Sequence, residues 1–332
     1  MDQLPDEMLM AIFQYLDFKS RLKASAVCWK WHTLLQVCNV HRDDVAVVNV
    51  FGCKVWDVNI DDAAKERLGT ALSGSADQLV SIPKRCSSLK IWFDKKSFVS
   101  KVLKVLAGNN MKTKCLDLYP YDDVLPLNIV KKHFPDLEAL ILRPHSTEFF
   151  WTGMDMPYFP NFSHLKTLIL ENVTLCGTAA FPPSLRQLEW HHRDDSALEA
   201  FMDKVSACRN LQCLMIAYVH FDASSLTRLL SIFTQLKFLR TLGFKFVRFP
   251  VLTQLECGTN SPPIKILKLD SCYGNIRDIV TMFRNFIPVT LSFLSINTIL
   301  EENQLSDINS LVPSLARQNI LLHLGIMQRI TG

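Results

Sequence analysis

The chain has 332 residues, 48% of them hydrophobic and 20% charged, and 36 basic against 32 acidic residues leave a net charge of only +4. That composition supplies a sizeable core for one or two domains and excludes the disordered class. Basic residues occur as isolated pairs such as Lys95-Lys96 and Lys131-Lys132, so neither nucleic acid nor a membrane surface is expected as a partner.

The opening, MDQLPDEML, lacks the basic and apolar regions of a secretory signal, and no apolar run approaches a bilayer-spanning length. Ten cysteines are scattered without a CxxC pair. Such cysteines read as small core residues of a cytoplasmic or nuclear protein.

The stretch Leu4–Leu35 is both too apolar and too short to stand alone. Met8, Leu9, Ile12, Phe13 and Leu16 recur at three- and four-residue steps, and Ala11 and Tyr15 widen the same face. Pro5 suits a first helical turn, and Asp6 and Glu7 suit the positive end of the helix dipole. Asp17 marks the exit from this helix. Ser20 can cap a short second one through Leu22, Lys23 and Ala24. Val27, Cys28, Trp31 and Leu34 give a third. About 40 residues rarely bury enough surface to fold alone, so another surface must cover this cluster.

These residues resemble an F-box. Leu4-Pro5, Ile12-Phe13, Leu16, Leu22, Val27-Cys28 and Trp31 follow the family pattern, with Arg21 where an apolar residue is common and Trp29 where a basic one is. The resemblance covers residues 1–41 and implies three small helices that bind a Skp-type adaptor. The implied contacts are Leu4, Pro5, Ile12, Phe13, Leu16, Leu22, Val27, Cys28 and Trp31, some of which must instead hold the helices together.

From Val45 onward the chain restates one phrase, leucine-x-x-leucine-x-leucine. It is plain in Leu137-Leu140-Leu142, Leu165-Leu168-Leu170 and Leu291-Leu294-Ile296. Substituted versions are Leu185-Leu188-Trp190, Leu211-Leu214-Ile216, Leu239-Leu242-Phe244, Ile264-Leu267-Leu269 and Leu321-Leu324-Ile326. Leu89-Ile91 and Leu116-Leu118 are weaker, and Val45-Val48-Val50 is a possible first turn. The middle leucines advance about 26 residues per step, within the range of leucine-rich repeats. Alternate residues of each short strand would point into a shared core, and one unit cannot bury its apolar side alone. Leu198-Phe201-Val205, Leu226-Leu229-Phe233 and Ile276-Ile279-Phe283 have helical spacing between strands, as does Phe98-Val102-Leu106. Pro135, Pro183, Pro263 and Pro288 precede strands, where they would end a helix.

Residues 42–332 therefore resemble the leucine-rich repeats that follow the F-box in one class of F-box proteins. The expected fold is α/β: a three-helix F-box at 1–41, then a curved solenoid of about ten irregular strand–helix or strand–loop repeats at 42–332. The asparagine or cysteine expected three residues beyond the last leucine is mostly missing, with Cys272 its clearest survivor.

Little points to catalysis. With 11 glycines the chain has no phosphate-cradling glycine motif. The cluster His191-His192-Arg193-Asp194-Asp195 holds metal-ligand and acid–base residue types, but it follows a strand, where a polar loop is expected anyway. No enzyme, cofactor or metal site is expected.

Two features are candidates for recognition. One is the inner sheet face, built from residues between and after the strand leucines: Tyr119, Ile141, Arg143, Ile169, Glu171, Glu189, His191, Met215, Lys245, Lys268, Asp270 and Asn297. The other is the aromatic insertion from Glu148 to Phe159, with Trp151 at its centre, able to anchor a partner. By resemblance the chain would be the substrate-recognition subunit of a cullin-RING ubiquitin ligase, its F-box on the adaptor and its repeats on a protein substrate. The competing expectation is a repeat scaffold with an N-terminal helical cap and no ligase role.

Overall fold

Alternate burial along short parallel strands is what the leucine spacing demands, and it is what the chain adopts. The computed structural model describes residues 4–16, 20, 23–24, 27–28, 30–31, 34–35, 45–51, 54–56, 88–93, 103, 113–119, 127–143, 162–173, 180–192, 197–250, 264–286, 291–298 and 302–326. They form a mixed α/β architecture in two units, residues 1–157 and 158–332.

The first unit opens with helix α1 (Asp6–Gln14). Ser20, Lys23, Ala24, Lys30, Trp31, Leu34 and Leu35 are also helical. Strands β1 (Val45–Phe51), β3 (Ser88–Phe93), β4 (Cys115–Tyr119) and β5 (Ala139–Leu142) pair in that order, all parallel. The short β2 (Lys54–Trp56) lies antiparallel on β1, and α2 (Leu127–His133) precedes β5.

The second unit is more regular. Strands β6 (Thr167–Glu171), β7 (Gln187–His191), β8 (Cys213–Ala217), β9 (Thr241–Lys245), β10 (Ile266–Asp270), β11 (Phe293–Thr298) and β12 (Leu321–Ile326) each pair in parallel with the next. Helices α3 (Leu198–Ser206), α4 (Ala223–Gln235), α5 (Ile276–Phe286) and α6 (Glu302–Arg317) join successive strands. Three of the helical spacings read from sequence land on these helices: Phe201, Val205, Leu226, Leu229, Phe233, Ile276, Ile279 and Phe283 are all buried, while Phe98, Val102 and Leu106 lie outside the described residues. At roughly 1.5–3 kcal/mol per buried large apolar side chain, this shared core dominates the stability of the unit.

Register sorts the core into rows. Leu168, Leu188, Leu214, Leu242, Leu267 and Leu294 lie side by side, and Leu170, Trp190, Ile216, Phe244, Leu269 and Ile296 form the adjacent row. Trp190 stacks on Phe201 of α3 at 4.1 Å, and Phe244 meets Phe283 of α5 at 5.4 Å. The helices therefore cover the leucine face. Asp222 caps α4 by accepting from the Ser225 N–H, and Arg228 of α4 reaches Glu199 and Asp203 of α3.

Two repeat frames need correction. Leu322 pairs with Leu294 and Leu324 with Ile296, so the last repeat is framed by Leu322-Leu324 rather than Leu321-Leu324-Ile326. Leu321 is one residue out of phase, and side chains alternate faces, so it is 66% exposed. The run Ile320-Leu321-Leu322 satisfies both frames in sequence, which is why spacing alone misplaced it. At the other end Ala46 pairs with Leu89 and Val48 with Ile91, so the first turn is Ala46-Val48 and not Val48-Val50. In the β4 repeat, Thr113 is buried three residues before Leu116, where other repeats place their first leucine.

The missing polar ladder also has a structural account. Val173, Val219 and Val247 fill the place held by Cys272, and all are buried. The turns are held instead by backbone. The N–H of Asn172, Tyr218, Phe246 and Ser271, two residues past the last strand leucine, donates to a carbonyl of the next repeat (His191, Lys245, Asp270 and Asn297). Each of these four residues has φ between 50° and 63°, the left-handed region. His192 donates to Ala217 O at the same place in its repeat.

Candidate functional site

Helix α1 has two apolar faces, one residue out of step. Leu9, Phe13 and Leu16 form the inner face: Leu9 and Phe13 are buried with Ala24, Leu34 and Leu35, and Leu4, Met10, Leu16 and Trp31 pack around them. Phe13 meets Trp31 edge-on at 5.1 Å. Lys30 ties the ends together, donating to Leu4 O at 3.2 Å and pairing with Asp6 at 3.0 Å. The outer face is Met8, Ile12 and Tyr15, which are 53%, 46% and 92% exposed; Val27 is 64% exposed. Spacings of i, i+4 and i+7 place each trio in a stripe, and the one-residue offset turns the second stripe about 100° from the first.

This geometry divides residues that the sequence could not. Phe13, with Leu4, Leu16 and Trp31 beside it, holds the cluster together, whereas Pro5, Ile12 and Val27 face outward. Cys28 is half-buried. Arg21, Leu22 and Trp29 lie outside the described residues. Met8 and Tyr15 complete the outward stripe; the sequence reading placed Met8 on one broad apolar face with Leu9 and Phe13 and took Tyr15 as widening it. Their signal was present in the spacing, since a single neighbour covers only one stripe.

In the first unit, Tyr119 and Arg143 are brought together on the sheet. Arg143 and Lys90 approach the Tyr119 ring at 5.9 and 4.6 Å, and Arg143 Nε lies 3.6 Å from Asp117 Oδ1. Tyr119 is nearly buried by this sandwich. The aromatic insertion, Trp151 included, lies outside the described residues.

In the second unit the remaining candidates share the sheet face opposite the helices. One row runs Ile169, Glu189, Met215, Gly243, Lys268, and the next runs Glu171, His191, Ala217, Lys245, Asp270. His191 lies 2.7 Å from Glu189 and 3.7 Å from Glu171, and Lys245 lies 3.9 Å from Asp270. A Cβ on Gly243 would fall 1.9 Å from Met215 Sδ, so the methionine side chain lies across the glycine. Asn297 continues the second row on β11. Sequence reading missed Gly243, and also Tyr218 and Phe246, which stack at 4.9 Å beyond the strand ends.

Among the described residues no three His, Cys, Asp or Glu side chains gather as a metal ion would require. His192 is buried and stacked on Trp190 at 5.3 Å, while His191 turns to the other face; Arg193, Asp194 and Asp195 lie outside the described residues. Burial pushes the thiols of Cys208 and Cys272 up to about 12, and it also raises Cys115 and Cys213. These four cysteines stay protonated near neutral pH and act as packing groups. At the strand N-termini, His164, Lys166, Arg186 and the exposed Phe238 line an open cleft of about 330 Å³.

No helix among the described residues is long and apolar enough to cross a membrane. In a comparison with curated proteins, none matches the chain. The family model described as F-box-like matches residues 1–41, the segment that carries the two-faced helix, and the chain thus begins with an F-box-like domain.

Proposed function

We propose that this chain is the substrate-recognition subunit of a cullin-RING ubiquitin ligase. The observation that carries the reading is the bare apolar stripe of α1 within a segment that matches an F-box-like domain. F-box domains generally bind Skp-type adaptors, and an adaptor is the surface that would cover Met8, Ile12, Tyr15 and Val27. In this reading the N-terminal segment is a three-helix F-box, and residues 42–332 form a leucine-rich-repeat solenoid whose helix-free face holds a protein substrate. The chain raises the local concentration of substrate near the ubiquitin-loaded enzyme and sets its orientation, with no bond chemistry of its own. Its place of action is the cytoplasm or the nucleus.

Co-purification with a Skp-type adaptor tests the reading. The full chain should retain the adaptor, and the double variant Met8→Asp, Ile12→Asp should lose it while keeping the wild-type unfolding profile. Failure of the wild-type chain to retain adaptor, or equal retention by the variant, would leave the N-terminal helices as a cap on a scaffold.

A further inference from the structure

We propose that the Met215-centred face of β7–β10 binds an extended segment of a partner protein bearing a basic residue, an aliphatic residue two positions on, and an acidic residue two positions beyond that. This rests on the reading of that face as the substrate surface and names the chemistry the substrate presents.

The first observation is separated charge. Glu171 and Glu189 stand on β6 and β7, while Lys245 and Lys268 stand on β9 and β10 with a single carboxylate, Asp270, among them. Among the described residues of this face, the β6–β7 end holds two carboxylates beside the His191 imidazole, and the β9–β10 end holds two lysines and one carboxylate. Between them the face is uncharged at Met215, Ala217 and Gly243: Met215 is the half-buried side chain there, lying across Gly243, and Ala217 beside it is buried. From β7 to β10 is three strand spacings, about 14 Å, and residues i to i+4 of an extended chain span about 13 Å with i, i+2 and i+4 on one side. A basic, an aliphatic and an acidic side chain at those positions would meet the carboxylates, Met215 and the lysines in turn.

The second observation concerns the rim. After β6 and β10 the left-handed turn position is filled by Asn172 and Ser271, small polar residues that suit such turns. After β8 and β9 the same position holds Tyr218 (φ 63°) and Phe246 (φ 52°), for which this conformation is costly. Both rings are partly exposed, stack on each other, and adjoin His191 (6.1 Å) and Lys245 (5.6 Å). Strain kept where a small residue would serve the turn marks side chains used for something besides the turn. They wall the apolar centre on one side. Met215, a flexible side chain on a glycine platform, supplies an adaptable floor.

The experiment uses the full chain, with fluorescent nine-residue peptides whose central five are Lys-x-Leu-x-Glu, Lys-x-Leu-x-Lys, Glu-x-Leu-x-Glu or Lys-x-Ser-x-Glu, the x and flanking positions being Gly or Ser. The mixed-charge leucine peptide should bind at least tenfold tighter than each of the others. Glu189→Lys should move the preference to the doubly acidic peptide. Phe246→Asn should weaken binding without lowering the thermal midpoint, an outcome a purely structural role would not give. Equal binding of the four peptides, no binding of any, or a preference indifferent to Glu189→Lys overturns the proposal. So does self-association of the chain dispersed by Met215→Lys, which makes a second copy the occupant. Adaptor retention, measured in parallel, separates the two readings: its loss with peptide preference intact defeats the ligase role alone, and the reverse defeats the peptide proposal alone.

Discussion

The two candidate surfaces are built on opposite principles. The outer stripe of α1 leaves Met8, Ile12 and Tyr15 bare, with apolar area as its main asset. On the β6–β10 face most charged groups already have partners, Glu189 and Glu171 at His191 and Asp270 at Lys245. Bare apolar area gives affinity in proportion to what is covered, whereas paired charges change an interaction mainly by rejecting wrong partners. A surface meant for one constant partner suits the first design, and one meant to discriminate suits the second. The contrast can be attacked one residue at a time.

The largest expected effects come from neighbours on α1. Phe13 is buried against Trp31, and Phe13→Ala should lower the stability of the N-terminal cluster by about 3–5 kcal/mol in denaturant unfolding. Ile12 is one position away and faces out. Ile12→Asp should leave unfolding nearly unchanged yet weaken adaptor binding by about 2 kcal/mol or more, roughly thirtyfold, by calorimetry. If Ile12→Asp unfolds the cluster or spares the adaptor, the two-faced reading of the helix is wrong.

On the sheet face the corresponding change is Gly243→Val. It drives a side chain into the space of Met215, whose far end is flexible enough to move. A stability loss of about 1–3 kcal/mol is expected, less than for Phe13→Ala because the site opens to solvent on one side. A loss as large as that of Phe13→Ala would mean that this face is core rather than surface. Phe246→Asn should shift stability by less still. Relief of about 1–2 kcal/mol of left-handed strain is set against about 0.5–1.5 kcal/mol of lost stacking on Tyr218, for a net change near zero or slightly favourable in thermal unfolding.

The same contrast explains what was legible in the sequence. Period-2 and period-3.6 signals are written in residue type, so β5–β11, α3–α5 and the broad apolar side of α1 could be read directly. Frames failed where apolar residues ran together, as at Ile320-Leu321-Leu322, because each choice preserved the pattern. The split of the N-terminal residues into inner and outer sets depended on which stripe the other helices cover, a tertiary fact. The aromatic rim was hidden for a different reason: Tyr218 and Phe246 sit where Asn172 and Ser271 sit elsewhere, so their role is visible only once the backbone shows φ above zero.

The smallest effect concerns the capped helix behind the face. The Ser225 side chain and backbone N–H both donate to Asp222, at 2.6 and 2.7 Å, and hold its carboxyl below the ordinary carboxylate range. A group whose folded pKa is depressed adds stability that is complete above its unfolded value and is lost as pH falls through the folded one. Asp222→Asn keeps a capping acceptor but cannot titrate. The two proteins should therefore differ by a constant amount at neutral pH, and the gap should narrow as pH falls below the usual aspartate value of about 3.9. Thermal midpoints measured at a series of pH values would show it. A gap that stays constant into strong acid would mean that the cap is held by its hydrogen-bond geometry, with no help from the charge at the helix N-terminus.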